Sequence, residues 1–575
     1  MKKLLVLLGV FCFLTMQAQE TFMVNGTHNK NLNFYAFINA TIYTDYKTKI
    51  ENGTLLIQNG KIIEVGEKKK VKIPKNAVIY DLKGKFIYPS FIDIYSDYGM
   101  PEVKKERNNP RFSPQLETNN KGAYNWNQAI KPETEAGKLF TPDEKQADEY
   151  RKLGFGTVLT HQKDGIMRGT SAFVTLGDEN ANLVLLNEKV AAHLAFDKGS
   201  STQDYPGSLM GAIALIRQTY YDVDWMYNNN NITENNLSLK SILDSWELPQ
   251  IFETKDKLDI LRADLIGDEF NMQYIFKGNG DEYQRIAEIK KTEGKLIVPV
   301  NFPEAYDVED PYAAMLISYS DVKHWELAPY NLGVLAKNEF DFAITAADLK
   351  DKKSFFINLQ KAIASGLSKE NALKALTYNP ALFINQYDKV GSLEKNKLAN
   401  FIITSDSLFE EKTKIHENWI KGQRYVIDDY NVVDINGDYN VNVNGTVYEL
   451  SVSGEKEKPA GKIKFFILTD TISVDASISR TGNSISLSFN PSDSIKNNGY
   501  VRLAGSVNHN GVIWDGNGQL SEGEWVKWSA IRKKNGAKKE DKKPVVADSL
   551  IVPTIKYPNM AYGFDSLPKP TTMLI

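Results

Sequence analysis

The sequence is poor in the residues that cross-link chains and bind transition metals. Its 575 residues include one cysteine and six histidines. A single cysteine excludes an intramolecular disulfide framework and a cysteine-based zinc site. The histidines are scattered, without a His-Glu-x-x-His motif, which sets a low ceiling on histidine-metal chemistry. The sequence also lacks a Gly-x-Ser-x-Gly elbow and a phosphate loop, so it offers neither of these catalytic devices.

An excess of charge of one sign is also missing. Lysine and arginine total 69 against 72 aspartates and glutamates, which gives a net charge of -3. Such a chain has no global basic field to attract nucleic acid, so we expect no nucleic-acid partner. The basic stretch 532–543 is typical of a solvated linker.

Long apolar runs are confined to the N-terminus. Lys2 and Lys3 precede the apolar run Leu4–Met16, and a short stretch of small and polar residues follows around Ala18. This pattern predicts a bacterial signal peptide over residues 1–18. We therefore expect a periplasmic or secreted protein with no membrane association after cleavage of the signal peptide.

Short β segments flank a long α/β region. Residues 34–90 alternate apolar runs with turns such as Asn59-Gly60, and residues 385–425 return to the same character. Each segment alone has too few strands for a stable sheet, so we predict that both form one β-sandwich. Between them, residues 91–384 alternate strand-like runs with amphipathic helical segments, which predicts an α/β unit with a parallel sheet.

The C-terminal part of the chain has a different character. Apolar and polar residues alternate on both sides of a second Asn-Gly pair, Asn444-Gly445. This pattern predicts a separate all-β domain over 434–532. We expect a linker and the start of a further unit over 533–575, because the chain stops on three apolar residues that resemble a strand beginning. The chain is hence hypothesised to be the N-terminal half of a longer two-unit protein.

Three stretches carry a family resemblance: residues 51–62 with Tyr88–Asp93, then Gly154–Val158 with Gly169–Ala172, and most specifically residues 366–381 followed by Gly391–Glu394 and Lys397–Asn400. In order and spacing they resemble the amidohydrolase superfamily, and the second stretch is similar to its imidazolonepropionase-like branch. The resemblance implies a (β/α)8 barrel over 91–384, with a small β-sandwich assembled from both ends of the unit.

The metal-ligand positions of this family are changed in the present sequence. Members hold one or two divalent metals with a His-x-His pair after barrel strand 1, one histidine each after strands 5 and 6, and an aspartate after strand 8. The corresponding positions here carry Tyr95, Asp97, Glu253, Lys277 and Ala347. The resemblance therefore implies a barrel with degenerate metal positions, so we expect no cofactor, although the family's cofactor is a divalent metal.

Two interpretations of these substitutions stay open. Asp97 and Glu253, together with Asp348 after a one-residue slip, would form an oxygen-rich cluster suited to magnesium or calcium. Alternatively, Lys277 and these carboxylates would form a buried network that satisfies itself. His161, which follows a predicted strand, is a further candidate for a substitute ligand, with a structural role as the alternative, because a lone histidine is more often structural. In both interpretations the side chains converge at the C-terminal mouth of the barrel.

The resemblance leaves three functions open. The first is a non-catalytic scaffold or regulatory half that acts with a second amidohydrolase-like unit, fused or separate. The second is a periplasmic metal-dependent hydrolase of C-N bonds, non-peptide or dipeptide-like, that uses substituted ligands. The third is a carbohydrate- or peptide-binding protein, for which the aromatic-rich segment Tyr205–Tyr227 would offer stacking surfaces. Whether the chain is an enzyme is left open, and a homo-oligomer is compatible with each function.

Overall fold

The computed structural model describes residues 32–104, 114–229, 235–429, 432–454, 456, 458–467, 470–491 and 499–535. The predicted signal peptide, 1–18, and the part of the predicted terminal segment beyond residue 535 lie outside the described residues. The chain divides into two compact units, with the boundary between Ile427 and Asp428.

The N-terminal unit begins and ends with runs of strands, and strands and helices intermix between them. Its strands are β1 (Phe34–Tyr43), β2 (Lys49–Gln58), β3 (Lys61–Glu67), β4 (Val78–Asp81), β5 (Phe86–Pro89), β6 (Phe91–Ser96), β7 (Phe155–Thr160), β8 (Met167–Thr170), β9 (Ala172–Thr175), β10 (Leu185–Asn187), β11 (Ala192–Ala195), β12 (Gln250–Glu253), β13 (Tyr274–Lys277), β14 (Lys295–Pro299), β15 (Phe342–Thr345), β16 (Phe401–Thr404), β17 (Ile415–Ile420) and β18 (Gln423–Val426). Its helices are α1 (Ala136–Leu139), α2 (Glu144–Lys152), α3 (Ala181–Val184), α4 (Leu209–Asn228), α5 (Leu237–Asp244), α6 (Lys257–Glu269), α7 (Ile286–Lys291), α8 (Pro311–Met315), α9 (Tyr319–Leu327), α10 (Asn331–Lys337), α11 (Ser354–Ala364), α12 (Lys369–Leu376) and α13 (Tyr378–Phe383).

An eight-stranded sheet joins the two ends of this unit. Its order is β18-β17-β16-β5-β1-β2-β3, and β4 pairs with β1. The β2–β3 turn places Asn59 and Gly60 at φ values of 49° and 73°, the left-handed conformation that a type I′ hairpin requires. Trp419 of β17 packs against Phe37 of β1, with ring centroids 4.9 Å apart. Segments 34–90 and 385–425 thus contribute to one sheet.

Two further sheets surround the core of the α/β region. One has the order β10-β9-β7-β6 and the other the order β15-β14-β13-β12-β11-β8. The edge strand β6 of the first sheet and the edge strand β15 of the second are linked through Asp93. Its carboxylate accepts hydrogen bonds from Thr345 Oγ1 at 2.7 Å and Ala346 N at 3.0 Å. The inward-facing residues of these strands belong to one buried cluster, which includes Ile92, Ile94, Leu159, Phe173, Ile251, Ile275, Ile297 and Ala343.

One strand position departs from the all-parallel pattern that a (β/α)8 barrel implies. β8 is antiparallel to β11 and β9 is antiparallel to β7, and the two follow one another with only Ser171 between them. Gly169 has φ 80°, and a Cβ atom there would lie 1.9 Å from the carbonyl oxygen of Thr134. Only glycine fits this close approach, so Gly169 allows the backbone around Thr134 to lie directly against β8.

The most specific sequence motif, residues 366–381, contains a helix N-cap and a side-chain hydrogen bond to a neighbouring strand. Gly366 has φ 109°, and the Ser368 hydroxyl accepts a hydrogen bond from Asn371 N at 3.1 Å, which caps α12. Asn379 in α13 donates a hydrogen bond from Nδ2 to the carbonyl of Phe342 at 2.7 Å. The motif therefore fixes α12 and α13 against β15, the strand that precedes one of the candidate site positions.

Helix α6 carries a carboxyl group with a raised pKa. Burial, and then the nearby Asp268, raise the pKa of Asp264 to about 6. Because the group binds protons more tightly in the folded state than in the unfolded state, it destabilises the fold increasingly as the pH rises from about 4 through about 6. We expect Asp264→Asn to raise the free energy of unfolding at pH 7 and to leave it unchanged near pH 3, as measured by urea unfolding. An equal effect at both pH values would contradict the assignment.

The C-terminal unit is a closed barrel of eight antiparallel strands. They are β19 (Gly437–Val443), β20 (Thr446–Gly454), β21 (Pro459–Ile467), β22 (Asp470–Thr481), β23 (Ser484–Phe489), β24 (Val501–Asn508), β25 (Ile513–Gln519) and β26 (Trp525–Asn535). Trp514 and Tyr439 pack in its core with ring centroids 4.3 Å apart. The all-β character predicted around Asn444-Gly445 is confirmed, and closure leaves no exposed sheet edge. The last strand ends at Asn535, three residues beyond the predicted boundary.

No helix within the described ranges is both long enough and apolar enough to cross a membrane.

Candidate functional site

The carboxyl ends of the barrel strands bring most of the predicted site residues together. Tyr95 lies near the end of β6, and Glu253 and Lys277 are the last residues of β12 and β13. Neighbouring strands pair Glu253 directly with Lys277. Asp348 follows β15 by three residues, with φ 64°. Parallel strands end on the same face of a barrel, which explains why residues distant in sequence meet here.

Arg168 is the centre of the first half of this cluster. Its guanidinium lies 2.5 Å from the Glu253 carboxylate and donates a hydrogen bond to the Tyr95 hydroxyl at 3.1 Å. A third hydrogen bond runs from Arg168 Nε to the carbonyl of Gly165 at 3.0 Å. The arginine side chain is 5% exposed, and that of Glu253 is 25% exposed. The buried guanidinium of Arg168 therefore donates to acceptors of the protein itself, the Glu253 carboxylate, the Tyr95 hydroxyl and the Gly165 carbonyl.

Lys277 forms the second half of the cluster. Its ammonium group is 3% exposed and forms an ion pair with the carboxylate of Asp348. The same ammonium lies 5.5 Å from the centre of the Tyr95 ring, within cation-π range. Tyr95 therefore stands between the two ion pairs, with Arg168 at its hydroxyl and Lys277 at its ring.

The remaining predicted residues have other surroundings. The Asp97 carboxylate is 64% exposed and lies 3.8 Å from the ammonium of Lys163. Lys163 also stands 4.9 Å from the Tyr95 ring centre. Ala347 is buried in the barrel core and offers no polar group. Asp97 thus lies at the exposed rim, whereas Glu253 and Asp348 reach the inner ion pairs.

His161 is packed against a second histidine that the sequence did not single out. Its ring stacks on that of His193, with centroids 3.7 Å apart and planes inclined by 12°, and it contacts Tyr95 at 4.9 Å. Both imidazoles are buried, and none of their ring nitrogens has a hydrogen-bond partner among the residues that the structure describes. Burial lowers the pKa of both histidines well below the usual value, as do Arg168 and Lys163.

The electrostatics of the cluster follow from its charges. Burial tends to raise the pKa of Glu253, but Arg168 and Lys277 outweigh it, so this pKa lies below its usual value. Burial and the Glu253 charge raise the pKa of Tyr95 well above 10. Glu253 is therefore a carboxylate and Tyr95 a neutral phenol at physiological pH.

Comparison with known proteins identifies the fold of the N-terminal unit. A model of the amidohydrolase family matches residues 336–442 of this chain. An amidohydrolase from Thermotoga maritima MSB8 is 20% identical and has a TM-score of 0.53, covering 68% of this chain and 99% of that chain. The chain has the amidohydrolase-superfamily fold. The resemblance predicted from the sequence motifs is thereby confirmed.

Other similarities are weaker. A β-aspartyl dipeptidase from Fervidobacterium islandicum AW-1 is 15% identical, with a TM-score of 0.40, and covers 69% of this chain and 97% of that chain. The chaperone protein HtpG of Bacillus velezensis is 24% identical over 145 residues, 25% of this chain. The present chain spans 22% of the length of that curated relative.

The strand ends hold three residues that the sequence did not reveal as site residues: Arg168, Lys163 and His193. Arg168 was detectable in principle, because a charged residue immediately before Gly169 interrupts an otherwise strand-like run. His193 offered no comparable signal, since a lone histidine in a strand is usually structural. Among the described residues, no group of three or more His, Cys, Asp or Glu side chains lies close enough to share a metal ion.

Proposed function

We propose that the amidohydrolase unit is non-catalytic and that the chain acts as a scaffold or regulatory half. One observation carries the proposal: two enclosed cations, Arg168 and Lys277, are paired with the carboxylates Glu253 and Asp348 at the strand ends where this family holds its metal. A divalent ion placed there would be repelled by both cations and would have to compete for carboxylates that are already engaged.

The remaining donors do not compensate for this loss. The rings of His161 and His193 lie almost parallel, so their in-plane lone pairs run side by side and do not converge on one ion. The oxygen-rich magnesium or calcium cluster would need Asp97 with Glu253, but Asp97 lies at the rim beside Lys163. The donor set therefore does not fit the divalent metal of the family.

Other routes to hydrolysis have no support among these residues. A general base needs a pKa near the working pH, whereas the pKa of Glu253 is lowered and that of Tyr95 is raised well above 10. Asp93 is buried and its pKa is raised by burial, but its oxygens are engaged by Thr345 and Ala346, where they join β6 to β15. Each ionisable group thus serves the fold of the barrel mouth.

The setting of this function is part of the proposal. Lys2, Lys3 and the apolar run that follows support a periplasmic or secreted location. The partner of this non-catalytic chain would be a second amidohydrolase-like unit, fused or separate. The proposed function is hence a structural one, exerted outside the cytoplasm on an active relative.

An activity assay tests the proposal. We expect the purified chain, supplied in turn with zinc, manganese and magnesium, to show no chelator-sensitive hydrolysis of dipeptides, N-acyl amino acids or hydantoins, because no ligand set remains to lower the pKa of a bound water. An active amidohydrolase assayed in parallel provides the positive control. Metal-dependent turnover at about 1 per second or faster, abolished by a chelator, would refute the non-catalytic assignment.

A further inference from the structure

A groove of about 700 Å³ lies between α4, α5 and the end of α6. This volume falls within the roughly 300 to 1,000 Å³ that is typical of ligand sites. The groove is formed by the barrel's helices, whereas the ion pairs around Arg168 lie at the ends of its strands. Its occupancy is therefore independent of whether the barrel is catalytic.

Aromatic rings form one wall of the groove. Tyr221 packs against Phe270 with ring centroids 5.0 Å apart, and Tyr220 packs against Trp246 at 5.6 Å. Tyr220 is almost fully buried, so these contacts hold the wall in place, whereas Tyr221 and Tyr227 remain 50% and 71% exposed. The groove thus presents accessible aromatic surface on a fixed support.

The charged residues that line the groove are all acidic. They are Asp224, Asp244, Glu247 and Glu269, and no lysine or arginine belongs to the described lining. Arg217 neutralises Glu269 through two hydrogen bonds of 2.6 and 2.7 Å. In contrast, the side-chain carboxylates of Asp244 and Glu247 form no hydrogen bond or ion pair with any residue in the described part of the chain. The groove therefore carries uncompensated negative charge beside its aromatic wall.

This combination selects for one kind of ligand. A cation gains both from carboxylates and from aromatic faces, whereas an anion is repelled and a neutral sugar leaves the carboxylates uncompensated. The molecule itself provides an example, since the Arg217 guanidinium is held by Glu269, whose Oε1 also accepts a hydrogen bond of 2.6 Å from the Tyr221 hydroxyl. The volume exceeds what one side chain fills, which favours a peptide over a free amino acid. We propose that the groove binds a peptide segment through a basic side chain, a guanidinium or an ammonium.

Calorimetric titration of the full chain with three probes tests the proposal. The probes are a capped tripeptide with a central arginine, its counterpart with a central glutamate, and free arginine. We expect the arginine tripeptide to bind at least about tenfold more tightly than either of the others. Equal affinity for the glutamate tripeptide would overturn the cation assignment, and equal affinity for free arginine would overturn the peptide assignment. Absence of binding by the arginine tripeptide at millimolar concentration would overturn both.

Variants locate the binding site. Asp244→Asn with Glu247→Gln should weaken binding of the arginine tripeptide about fivefold to tenfold, because both uncompensated charges are lost. Asp222→Asn is the matched control, since Asp222 lies on α4 outside the groove lining and bonds Gln218 at 2.7 Å. These surface changes should leave the melting temperature unaltered. Unchanged affinity in the double variant, or an equal loss in the control, would place the peptide elsewhere and overturn the assignment.

Discussion

Replacing Arg168 with methionine should lower the free energy of unfolding by about 3 kcal/mol, the lower end of the range for removing one partner of a buried ion pair. The change leaves the Glu253 carboxylate without its nearest cation and the Tyr95 hydroxyl without its donor. The lower end applies because Glu253 is 25% exposed and can regain some hydration. Urea unfolding followed by circular dichroism measures the change.

Two further variants separate charge from packing. Combining Arg168→Met with Glu253→Gln removes the orphaned charge, and should recover at least about 1 kcal/mol of the loss. Arg217→Met breaks a similarly short but exposed pair with Glu269, and should lower the free energy of unfolding much less than Arg168→Met does. Similar losses at Arg168 and Arg217 would show that the strand-end cluster is not an enclosed charge network.

Acidification should destabilise the N-terminal unit through the stacked histidines. Their pKa values are held well below the usual value by burial and by neighbouring cations, so below about pH 6.5 the unfolded state binds more protons than the folded state. The stability is present above that pH and is lost on acidification, by up to about 1.4 kcal/mol per pH unit for each histidine. His193→Phe retains a ring against His161 and should remove about half of this slope between about pH 6 and pH 5.

Asp264 provides a control of opposite sign. Its raised pKa makes the fold gain stability as the pH falls from about 6, so Asp264→Asn should steepen the acid loss that His193→Phe flattens. Unfolding curves of the two variants and the parent protein at half-unit pH intervals give the slopes. Identical slopes for the parent and His193→Phe would mean that the imidazoles are not the groups that titrate.

Local patterns predicted most of the architecture. The Asn59-Gly60 and Asn444-Gly445 pairs marked hairpins because few other residues adopt the left-handed turn conformations, and both hairpins are present. The motif over 366–381 predicted the end of the barrel unit through its family resemblance, and the structure shows what it does locally, in the Ser368 cap and the hydrogen bond of Asn379. The alignment of Tyr95, Glu253 and Lys277 followed from the rule that parallel strands end on one face.

The features that the sequence did not reveal depend on contacts between distant segments. The need for glycine at position 169 arises only because the carbonyl of Thr134 lies against it. Arg168 acquires its role from Tyr95 and Glu253, which lie on different strands. The ion pair of Asp348 with Lys277 likewise joins residues at the ends of two different strands, and the one-residue slip that made Asp348 a candidate did not establish it.

Metal analysis of the purified, untagged chain shows whether the barrel mouth holds a metal ion. We expect far less than about one zinc, manganese or iron per chain by mass spectrometry, even after incubation with excess metal and gel filtration, and no change in melting temperature when a chelator is added. Asp348→Asn and Glu253→Gln should leave that metal content unchanged, because neither carboxylate is a ligand. About one tightly held ion per chain, lost in these variants and stabilising the fold, would contradict the account.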